Sequence, residues 1–300
     1  MGVTAAVRLS DVIKRHRRLH RAVRSARFAI GRLVPPRRFD GIPGRVHFND
    51  FMFIDSSPAE IASYVERGRN VISLIEEALA AAGKKIEDVE RWLDFGCGYG
   101  RVLRFLLERV PPERVSASDV IAEGVEFCRS EFGVTALRSR PELASVQLGS
   151  FDFVYAISVI THLDERNSVD FLRLVGDSLT EGGIAMFTTH GEWSLAHPGH
   201  YGSEYEARAA EIEAAVGERG TAYLRYEFAP DDYGMTWHSR EFVEATMAEL
   251  HGAELRPLLF KPHGLDGHQD VYAYQRLPAV SLNRGSPAPS ACCRTVLRPD

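Results

Sequence analysis

The sequence predicts an α/β domain in which helices cover both faces of a mostly parallel sheet. Three observations indicate this fold class. Strand-like and helix-like segments alternate between about residues 90 and 190. The connections between them are short, which favours neighbouring parallel strands joined by helices. The chain has 300 residues, 45% hydrophobic and 26% charged, so it can bury a core of its own.

The alternating region opens and closes with a strand. Its predicted strands are residues 91–95, 115–119, 151–158 and 183–189. Its predicted helices are residues 102–109, 123–132 and 166–179. After a less regular stretch come helix 239–250 and strands 254–260 and 270–276. Proline and glycine between these last two strands indicate a turn, so we expect them to form an antiparallel pair.

Two helices are predicted before the alternating region. The first belongs to an N-terminal arm, residues 1–38, with apolar side chains at helical spacing on one face and basic side chains on the other. It ends before Pro35. The second spans about residues 58–82 and stops at Gly83. With the residues before it, this helix forms a predicted helical cap, residues 39–89.

Charge is distributed unevenly along the chain. Residues 1–45 contain twelve Lys or Arg and two acidic residues, a net charge of +10. Since the whole chain carries −5, residues 46–300 carry −15. An anionic membrane would attract the arm and bury its apolar face, so we predict peripheral membrane contact through residues 8–34. The alternatives are a phosphate backbone as partner and an ordinary surface helix packed on its own domain.

Cysteine spacing and hydropathy favour a cytoplasmic protein. The four cysteines are Cys97, Cys128, Cys292 and Cys293, and none forms the CxxC pattern of a zinc or redox site. No apolar run approaches the roughly 20 residues of a membrane-spanning helix, and no secretory signal is visible. Residues 278–300 contain four prolines and few apolar side chains, which predicts a flexible tail.

A glycine-rich turn joins the first predicted strand to its helix. The segment reads Asp94-Phe95-Gly96-Cys97-Gly98-Tyr99-Gly100. Glycine lets a ligand approach the backbone closely, and the start of the next helix attracts an anionic group. The spacing is not the GxGxxG of dinucleotide sites, because the third glycine comes one residue early and an acid precedes the first glycine by two. The turn therefore predicts a site for a different adenosine ligand.

Asp119 ends the second predicted strand, about 20 residues after the glycine turn. A carboxylate at this position can accept hydrogen bonds from both hydroxyls of a ribose. We therefore predict that Asp119 binds ribose. The alternative is that it caps the following helix.

These features resemble the class I S-adenosylmethionine-dependent methyltransferases. The resemblance covers roughly residues 90–190 and rests on the glycine turn, Asp119, residues 151–158 with Thr161-His162-Leu163, and residues 179–183. It implies a Rossmann-like, mostly parallel seven-stranded sheet with an antiparallel last strand, and S-adenosylmethionine as cofactor. Residues 158–163 also resemble, more weakly, methyltransferases of bacterial polysaccharide pathways.

The resemblance implies a set of cofactor-binding residues. Asp94, Gly96 and Gly98 would surround the methionine part of the cofactor, and Ala156 to Ser158 the rim near its sulfonium. The full set is Asp94, Gly96, Cys97, Gly98, Arg101, Asp119, Val120, Ala156, Ile157 and Ser158. No acid between residues 134 and 150 matches the adenine contact of the family, so adenine recognition stays unassigned.

A histidine follows the third strand of the alternating region, on the side where ligands bind in open α/β sheets. Methyl transfer needs the acceptor held in line and water excluded, and a hydroxyl acceptor also gains from a base. His162 is our candidate for that base, and His190 and His238 are weaker ones. The alternative is that His162 only packs or lines the pocket. His197 and His200 lack further ligands, so no metal site is predicted.

Residues 191–238 contain eight aromatic side chains and are predicted to form a lid over the cofactor. Aromatic faces with polar edges suit a saccharide or another small polar acceptor, and residues 39–57, with Phe48, Phe51 and Phe53, are expected to close the opposite wall. The alternative is that these rings are the core of an accessory subdomain. The predicted function is O-methylation of a small molecule or saccharide, including a lipid-linked glycan. The other candidates are a nucleic-acid methyltransferase, which the acidic body disfavours, and a non-catalytic cofactor-binding protein.

Overall fold

The structure is a computed structural model that describes residues 17–226 and 233–278. Its first elements, all N-terminal to the central sheet, are helix α1 (Arg17–Leu33), strands β1 (Arg37–Arg38) and β2 (Arg45–Val46), and helix α2 (Pro58–Ala81). Helix α2 begins after Ser57, whose hydroxyl accepts a hydrogen bond from the Glu60 N–H, and has Pro58 in its first turn. Part of the arm and the predicted tail, residues 1–16 and 279–300, lie outside the described residues.

The next elements alternate between strand and helix as predicted, with one exception. They are β3 (Trp92–Phe95), α3 (Leu103–Leu106), β4 (Val115–Asp119), α4 (Ala122–Phe132), β5 (Thr135–Arg138), β6 (Phe151–Ala156), α5 (Glu165–Asp177) and β7 (Leu179–Thr189). The exception is that no α-helix separates β5 from β6 in this described stretch of the chain.

An insertion with its own small core follows β7. Its elements are α6 (Glu192–Ala196), α7 (Ser203–Glu206), α8 (Ala209–Arg219), β8 (Thr221–Arg225) and β9 (Gly234–His238). Strands β8 and β9 form an antiparallel hairpin. The side chains of Tyr205, Ile212, Val216 and Trp237 are buried together between this hairpin and the helices. Residues 227–232 lie outside the described part of the chain.

The chain then returns to the central sheet with α9 (Arg240–His251), β10 (Leu255–Leu265) and β11 (Gln269–Arg276). The seven strands are ordered β10-β11-β7-β6-β3-β4-β5. Neighbours among β3 to β7 are parallel, whereas β11 is antiparallel to both β7 and β10. This topology confirms the predicted Rossmann-like seven-stranded sheet and its antiparallel finishing pair.

Alternating side chains of the sheet bury two apolar clusters, one on each face. Trp92 and Phe153 point into a cluster shared with α2, α3 and α4. Their neighbours Leu93 and Val154 point into a second cluster with α5 and α9. Because successive residues of a strand face opposite sides, a sheet covered on both faces needs this continuous apolar pattern.

Several predicted boundaries differ from the structure. Strand β5 was not among the individually predicted strands, since it is an edge strand in which only Ala136 is buried. Strand β7 begins at Leu179, which the predicted helix 166–179 includes, because the pairing with β6 shifts register between Phe151 and Phe153 and lets the strand start earlier. The helix predicted at 102–109 is α-helical only over Leu103–Leu106.

Candidate active site

The predicted site residues lie at one edge of the central sheet. Because β3, β4, β6 and β7 belong to the parallel part, their carboxyl ends meet at this edge. The glycine turn follows β3, Asp119 ends β4, and Ser158 follows β6. The turn between β10 and β11 lies here too, since Asp270 near the start of β11 pairs with Thr189 at the end of β7. Ligands of open α/β sheets bind at this edge.

The turn after β3 has a backbone that only glycine adopts readily. Gly96, Gly98 and Gly100 have φ angles of 84°, 52° and 75°. The N–H of Gly96 donates to the Ser118 carbonyl over 2.7 Å, which ties the turn to β4. A Cβ added at Gly96 would lie 2.3 Å from the Val159 side chain, whereas one added at Gly98 would meet no atom within 4 Å. The space over Gly98 is therefore open to a ligand.

Asp119 is buried and braces the glycine turn. Its Oδ2 accepts a hydrogen bond from the Gly98 N–H over 2.7 Å, and its Oδ1 accepts one from the Ile121 N–H over 2.8 Å. Each oxygen has a second lone pair, so both can still accept from ribose hydroxyls. The N-cap of α4 is Ile121, so the capping alternative for Asp119 is wrong. Burial raises the pKa of Asp119, and its backbone hydrogen bonds oppose that shift.

Asp94 and Arg101 flank the turn with opposite charges. Burial, the largest effect, raises the pKa of Asp94 to about 7, and the nearby Asp119 charge adds to the shift while Tyr155 and Arg101 oppose it. Burial lowers the pKa of Arg101, although the charges of Asp266 and other groups oppose this. Within the described residues, neither side chain has an ion-pair partner. An unpaired acid and an unpaired cation beside one turn suit a zwitterionic ligand, such as the amino-acid part of S-adenosylmethionine.

The remaining predicted cofactor residues differ in what they present. Val120 is exposed next to Asp119. Cys97 and Ala156 are buried with their side chains in the apolar clusters on opposite faces of the sheet, so their backbone is what a ligand can contact. Ile157 is partly buried and packs against the cluster that contains Cys97. The roles of all these residues in cofactor binding stay predictions.

Ser158 has a strained backbone at the end of β6. Its φ of 57° lies in the left-handed region, which is uncommon for a residue other than glycine. Its N–H donates to Thr188 Oγ1 over 2.9 Å, and its hydroxyl donates to Gln269 Oε1 over 3.1 Å. The Thr188 hydroxyl donates to the same Gln269 oxygen over 2.7 Å. This network holds the strained residue in place, as expected at a functional site.

Ser139 is a candidate site residue that sequence reasoning missed. It follows β5, and its N–H donates to the Asp119 carbonyl over 2.8 Å. Its hydroxyl is buried and has no hydrogen-bond partner in the described part of the chain. A buried hydroxyl without a partner is costly, which points to a ligand or water beside it. The sequence gives no signal for Ser139, because the family's adenine contact in residues 134–150 is expected to be an acid and not a serine.

The hydrogen-bond partners of His162 favour one tautomer of its ring. Its Nδ1 lies 2.9 Å from the carbonyl oxygen of Gly234, which can only accept a hydrogen bond. The Tyr226 hydroxyl also lies 3.1 Å from Nδ1, and a hydroxyl can either donate or accept. The Gly234 carbonyl therefore favours the tautomer with the proton on Nδ1, which leaves the lone pair of a base on Nε2. Burial lowers the pKa of His162, which keeps the ring neutral near pH 7. The ring stacks on Tyr233 with centroids 4.9 Å apart.

The other histidines are placed less favourably. His190 is buried, and its Nδ1 lies 3.0 Å from the Thr236 carbonyl. His238 is also buried, with Nε2 3.1 Å from the Ser168 hydroxyl, and burial lowers its pKa to about 3. His197 is exposed and stacks on Trp193. Across the residues that the structure describes, no cluster of three His, Cys, Asp or Glu side chains is arranged to hold a metal ion.

Aromatic residues of the insertion serve two purposes. Trp237 and Tyr205 belong to the insertion's own core, as the packing alternative predicts. The partly buried Tyr201 ring packs against the same core, and it also lies 4.5 Å from the His190 ring and 5.9 Å from the His268 ring, between centroids. His268 is in the β10–β11 turn, so Tyr201 lies over the carboxyl edge of the sheet, and a lid function of the insertion stays a prediction.

Residues 45–50 approach the glycine turn from the N-terminal side. The His47 ring stacks on the Tyr99 ring with centroids 4.9 Å apart. Asn49 Nδ2 donates to Glu123 Oε2 over 2.8 Å, and the Tyr99 hydroxyl donates to the same oxygen over 2.9 Å. The predicted wall from residues 39–57 thus touches the turn through His47 and Asn49. Phe51 is exposed instead.

Comparison with known proteins identifies the family. A family model described as a methyltransferase domain matches residues 66–250, more than half of the chain. The chain therefore belongs to this methyltransferase family. Membership confirms the enzyme class predicted from the glycine turn, an S-adenosylmethionine-dependent methyltransferase, and with it the predicted methyl donor. The match begins inside the predicted helical cap, and the domain boundaries stay predictions.

A curated relative is the trans-aconitate 2-methyltransferase of Rhizobium etli. It is 26% identical over 171 residues, which are 55% of this chain and 61% of that protein. The chain thus spans less than two thirds of this relative's length.

Two similar solved structures are methyltransferases. One is CalS10 of Micromonospora echinaspora, an amino pentose methyltransferase with bound S-adenosylmethionine, at 16% identity and TM-score 0.48, covering 72% of this chain and 96% of that one. The other is the N-methyltransferase NodS of Bradyrhizobium japonicum with S-adenosylhomocysteine, at 13% identity and TM-score 0.44, covering 76% and 92%.

Proposed function

We propose that this enzyme transfers the methyl group of S-adenosylmethionine to a hydroxyl oxygen of a small molecule or saccharide. The observation that carries the proposal is the position of His162 Nδ1 beside the Gly234 carbonyl, because that carbonyl favours a free lone pair on Nε2. An alcohol keeps its proton at neutral pH and gains from a base, whereas a carboxylate acceptor is already ionised and needs none. The lowered pKa of His162 keeps it competent as that base.

The residues of this chain hold the donor and prepare the acceptor. When bound, S-adenosylmethionine supplies a methyl carbon activated by a positively charged sulfur. Asp119 would bind the ribose hydroxyls, and Asp94 and Arg101 the charged groups of the amino-acid part. The exposed Val120 side chain and the unpartnered Ser139 hydroxyl are the proposed adenine contacts.

The acceptor side orients the hydroxyl and excludes water. His162 Nε2 would take the proton of the acceptor hydroxyl as the oxygen bonds to the methyl carbon and the carbon–sulfur bond breaks, which leaves S-adenosylhomocysteine as the second product. Tyr201 and His190 are the proposed walls of the acceptor site, because their rings lie together over the carboxyl edge of the sheet. Aromatic and imidazole rings with polar edges suit a saccharide or another small polar acceptor.

A narrower part of the proposal is a lipid-linked glycan as acceptor, reached from the cytoplasmic side of a membrane. The basic arm supports it, as does the resemblance of residues 158–163 to polysaccharide-pathway methyltransferases. No helix of the described residues is long and apolar enough to cross a bilayer.

The chemical stability of the product tests which atom is methylated. The full chain is incubated with methyl-labelled S-adenosylmethionine and separate panels of saccharides, other alcohols, amines and carboxylic acids, including trans-aconitate. A methyl ether survives mild alkali, whereas a methyl ester releases labelled methanol. We expect alkali-stable label in a hydroxyl acceptor. Label confined to esters or amines would overturn the hydroxyl proposal and leave the methyltransferase class intact.

A further inference from the structure

Helix α1 carries an apolar stripe that no other part of the described chain covers. Leu19, Val23, Ile30 and Leu33 are all exposed, Leu33 to 84% and Ile30 to 47%. Their spacing of four, seven and three residues places them on one face of the helix. Large aliphatic side chains in such a row are seldom left in water without a partner.

The helix is attached to the body through a different face. Gly31 is buried, and a Cβ added to it would lie 2.4 Å from Asn49 Nδ2. Successive residues of an α-helix are about 100° apart around its axis, so Gly31 lies about 100° from Ile30. The stripe therefore points away from the contact with Asn49, and its exposure follows from how α1 is held.

Further exposed apolar residues follow Asn49 directly. Phe51, Met52 and Ile54 are exposed, Ile54 to 77%. Because Asn49 is the residue against which α1 packs, these side chains and the stripe belong to neighbouring segments. We call the two together the apolar face, defined by Leu19, Val23, Ile30, Leu33, Phe51, Met52 and Ile54.

The charge of the same region is strongly positive. The sequence of α1 contains six arginines and no acidic residue. Exposed Arg37 and Arg38 follow it. Residues 46–300 have a net charge of −15, so the net positive charge is confined to this region. An apolar stripe combined with arginines is complementary to the surface of an anionic bilayer, which has negatively charged headgroups above an apolar interior.

We propose that the apolar face docks on an anionic lipid bilayer, with α1 lying in the interface. Of the partners with negative charge, a nucleic acid uses the arginines but gives the aliphatic stripe nothing to enter. A bilayer uses both features. The docked face adjoins Asn49, which binds Glu123 beside the glycine turn, so the enzyme would hold its cofactor side close to the lipid surface.

Vesicle binding by the full chain tests this proposal without depending on methyl transfer. Sedimentation is measured with vesicles of phosphatidylcholine and phosphatidylglycerol, and with phosphatidylcholine alone. We expect binding to the anionic vesicles that weakens with salt. We expect at least a roughly tenfold loss of affinity both in Leu19→Ser/Ile30→Ser/Leu33→Ser and in Arg18→Glu/Arg21→Glu. Leu277→Ser is the matched control, because Leu277 is exposed just after β11, at the other edge of the sheet.

Two results would overturn the proposal. One is equal binding of the wild type and the triple serine variant. The other is a wild-type dimer in solution that the triple variant dissociates, with no vesicle binding by either, since the stripe would then cover a second copy of the chain. Retained binding of S-adenosylhomocysteine shows that each variant is folded.

Discussion

The two halves of the active site are assembled in different ways. Most of the proposed cofactor half comes from one stretch, residues 94–120, and is built mainly from backbone geometry and two ionisable side chains, while Ser139 and residues 156–158 join it from the ends of β5 and β6. The acceptor half joins distant segments, since the hydrogen bond between His162 and Gly234 links residues 72 positions apart. His190 and Thr236 make a second such link.

This difference separates binding from turnover. We propose that the turn and its carboxylates set how tightly the cofactor half holds the donor. In the acceptor half, the hairpin β8–β9 orients the proposed base, His162, without belonging to the central sheet. We therefore expect substitutions near Gly98 to change donor affinity, and substitutions at His162 to change the rate with little change in donor affinity.

Gly98→Val should have the largest effect on donor binding. The added side chain would fill the open space over the turn, so we expect no measurable affinity for S-adenosylhomocysteine by calorimetry. Gly83→Val is the matched control. Gly83 also has a positive φ, 69°, and open space around its Cβ position, but it lies at the end of α2. If both variants lose affinity equally, the loss in Gly98→Val comes from backbone strain and not from filling the ligand space.

His162→Ala should lower kcat with hydroxyl acceptors by about 10²- to 10⁴-fold, the usual contribution of a positioned base. Donor affinity should stay within a few-fold of wild type. In the wild type, the rate should fall only as the pH drops below the lowered pKa of His162, because the neutral ring is the active form.

Comparison of His162→Ala with His190→Ala tests which of the two histidines is the base. That histidine is also buried and also bound to a main-chain carbonyl. A large loss of kcat in His190→Ala alone would move the role of base to His190.

The same contrast explains what the sequence could and could not predict. Glycine spacing and Asp119 are local features whose chemistry follows from the residue types, so the turn and the fold around it could be predicted. The tautomer of His162 depends on Gly234, which no periodicity connects with residue 162. Strand β5 and Ser139 were missed because an edge strand with one buried residue leaves almost no apolar pattern.

Asp119→Ala should weaken S-adenosylhomocysteine binding by roughly 10- to 100-fold, the range for hydrogen bonds to a charged group. Part of this loss comes from the turn itself, because Asp119 holds the Gly98 N–H. Asp119→Asn keeps the shape and one oxygen acceptor and should recover part of the affinity. Similar affinities of both variants and wild type, by calorimetry, would exclude Asp119 from ribose binding.

Asp94→Asn should have the smallest effect on donor affinity. Its main consequence is a change in how that affinity depends on pH. Burial raises the pKa of Asp94 in the free enzyme to about 7, whereas a bound ammonium group favours the ionised form. Wild-type affinity for S-adenosylhomocysteine should therefore increase with pH, by up to about tenfold per unit below pH 7, and level off above it. The asparagine variant should lack this dependence.

The effect of Asp94 on the stability of the ligand-free enzyme has the opposite pH dependence. Donor affinity should rise with pH, whereas the contribution of Asp94 to stability should fall. The pKa of Asp94 is raised on folding, so its contribution to stability is fully present below the unfolded value of about 3.8 and is lost as the pH rises through about 7. Asp94→Asn removes that loss. Its Tm relative to wild type should increase by several degrees between about pH 5 and pH 8. If the Tm difference between Asp94→Asn and wild type stays constant over this pH range, Asp94 is already ionised in the ligand-free enzyme. The glycine turn would then stabilise the negative charge of Asp94 before the donor binds.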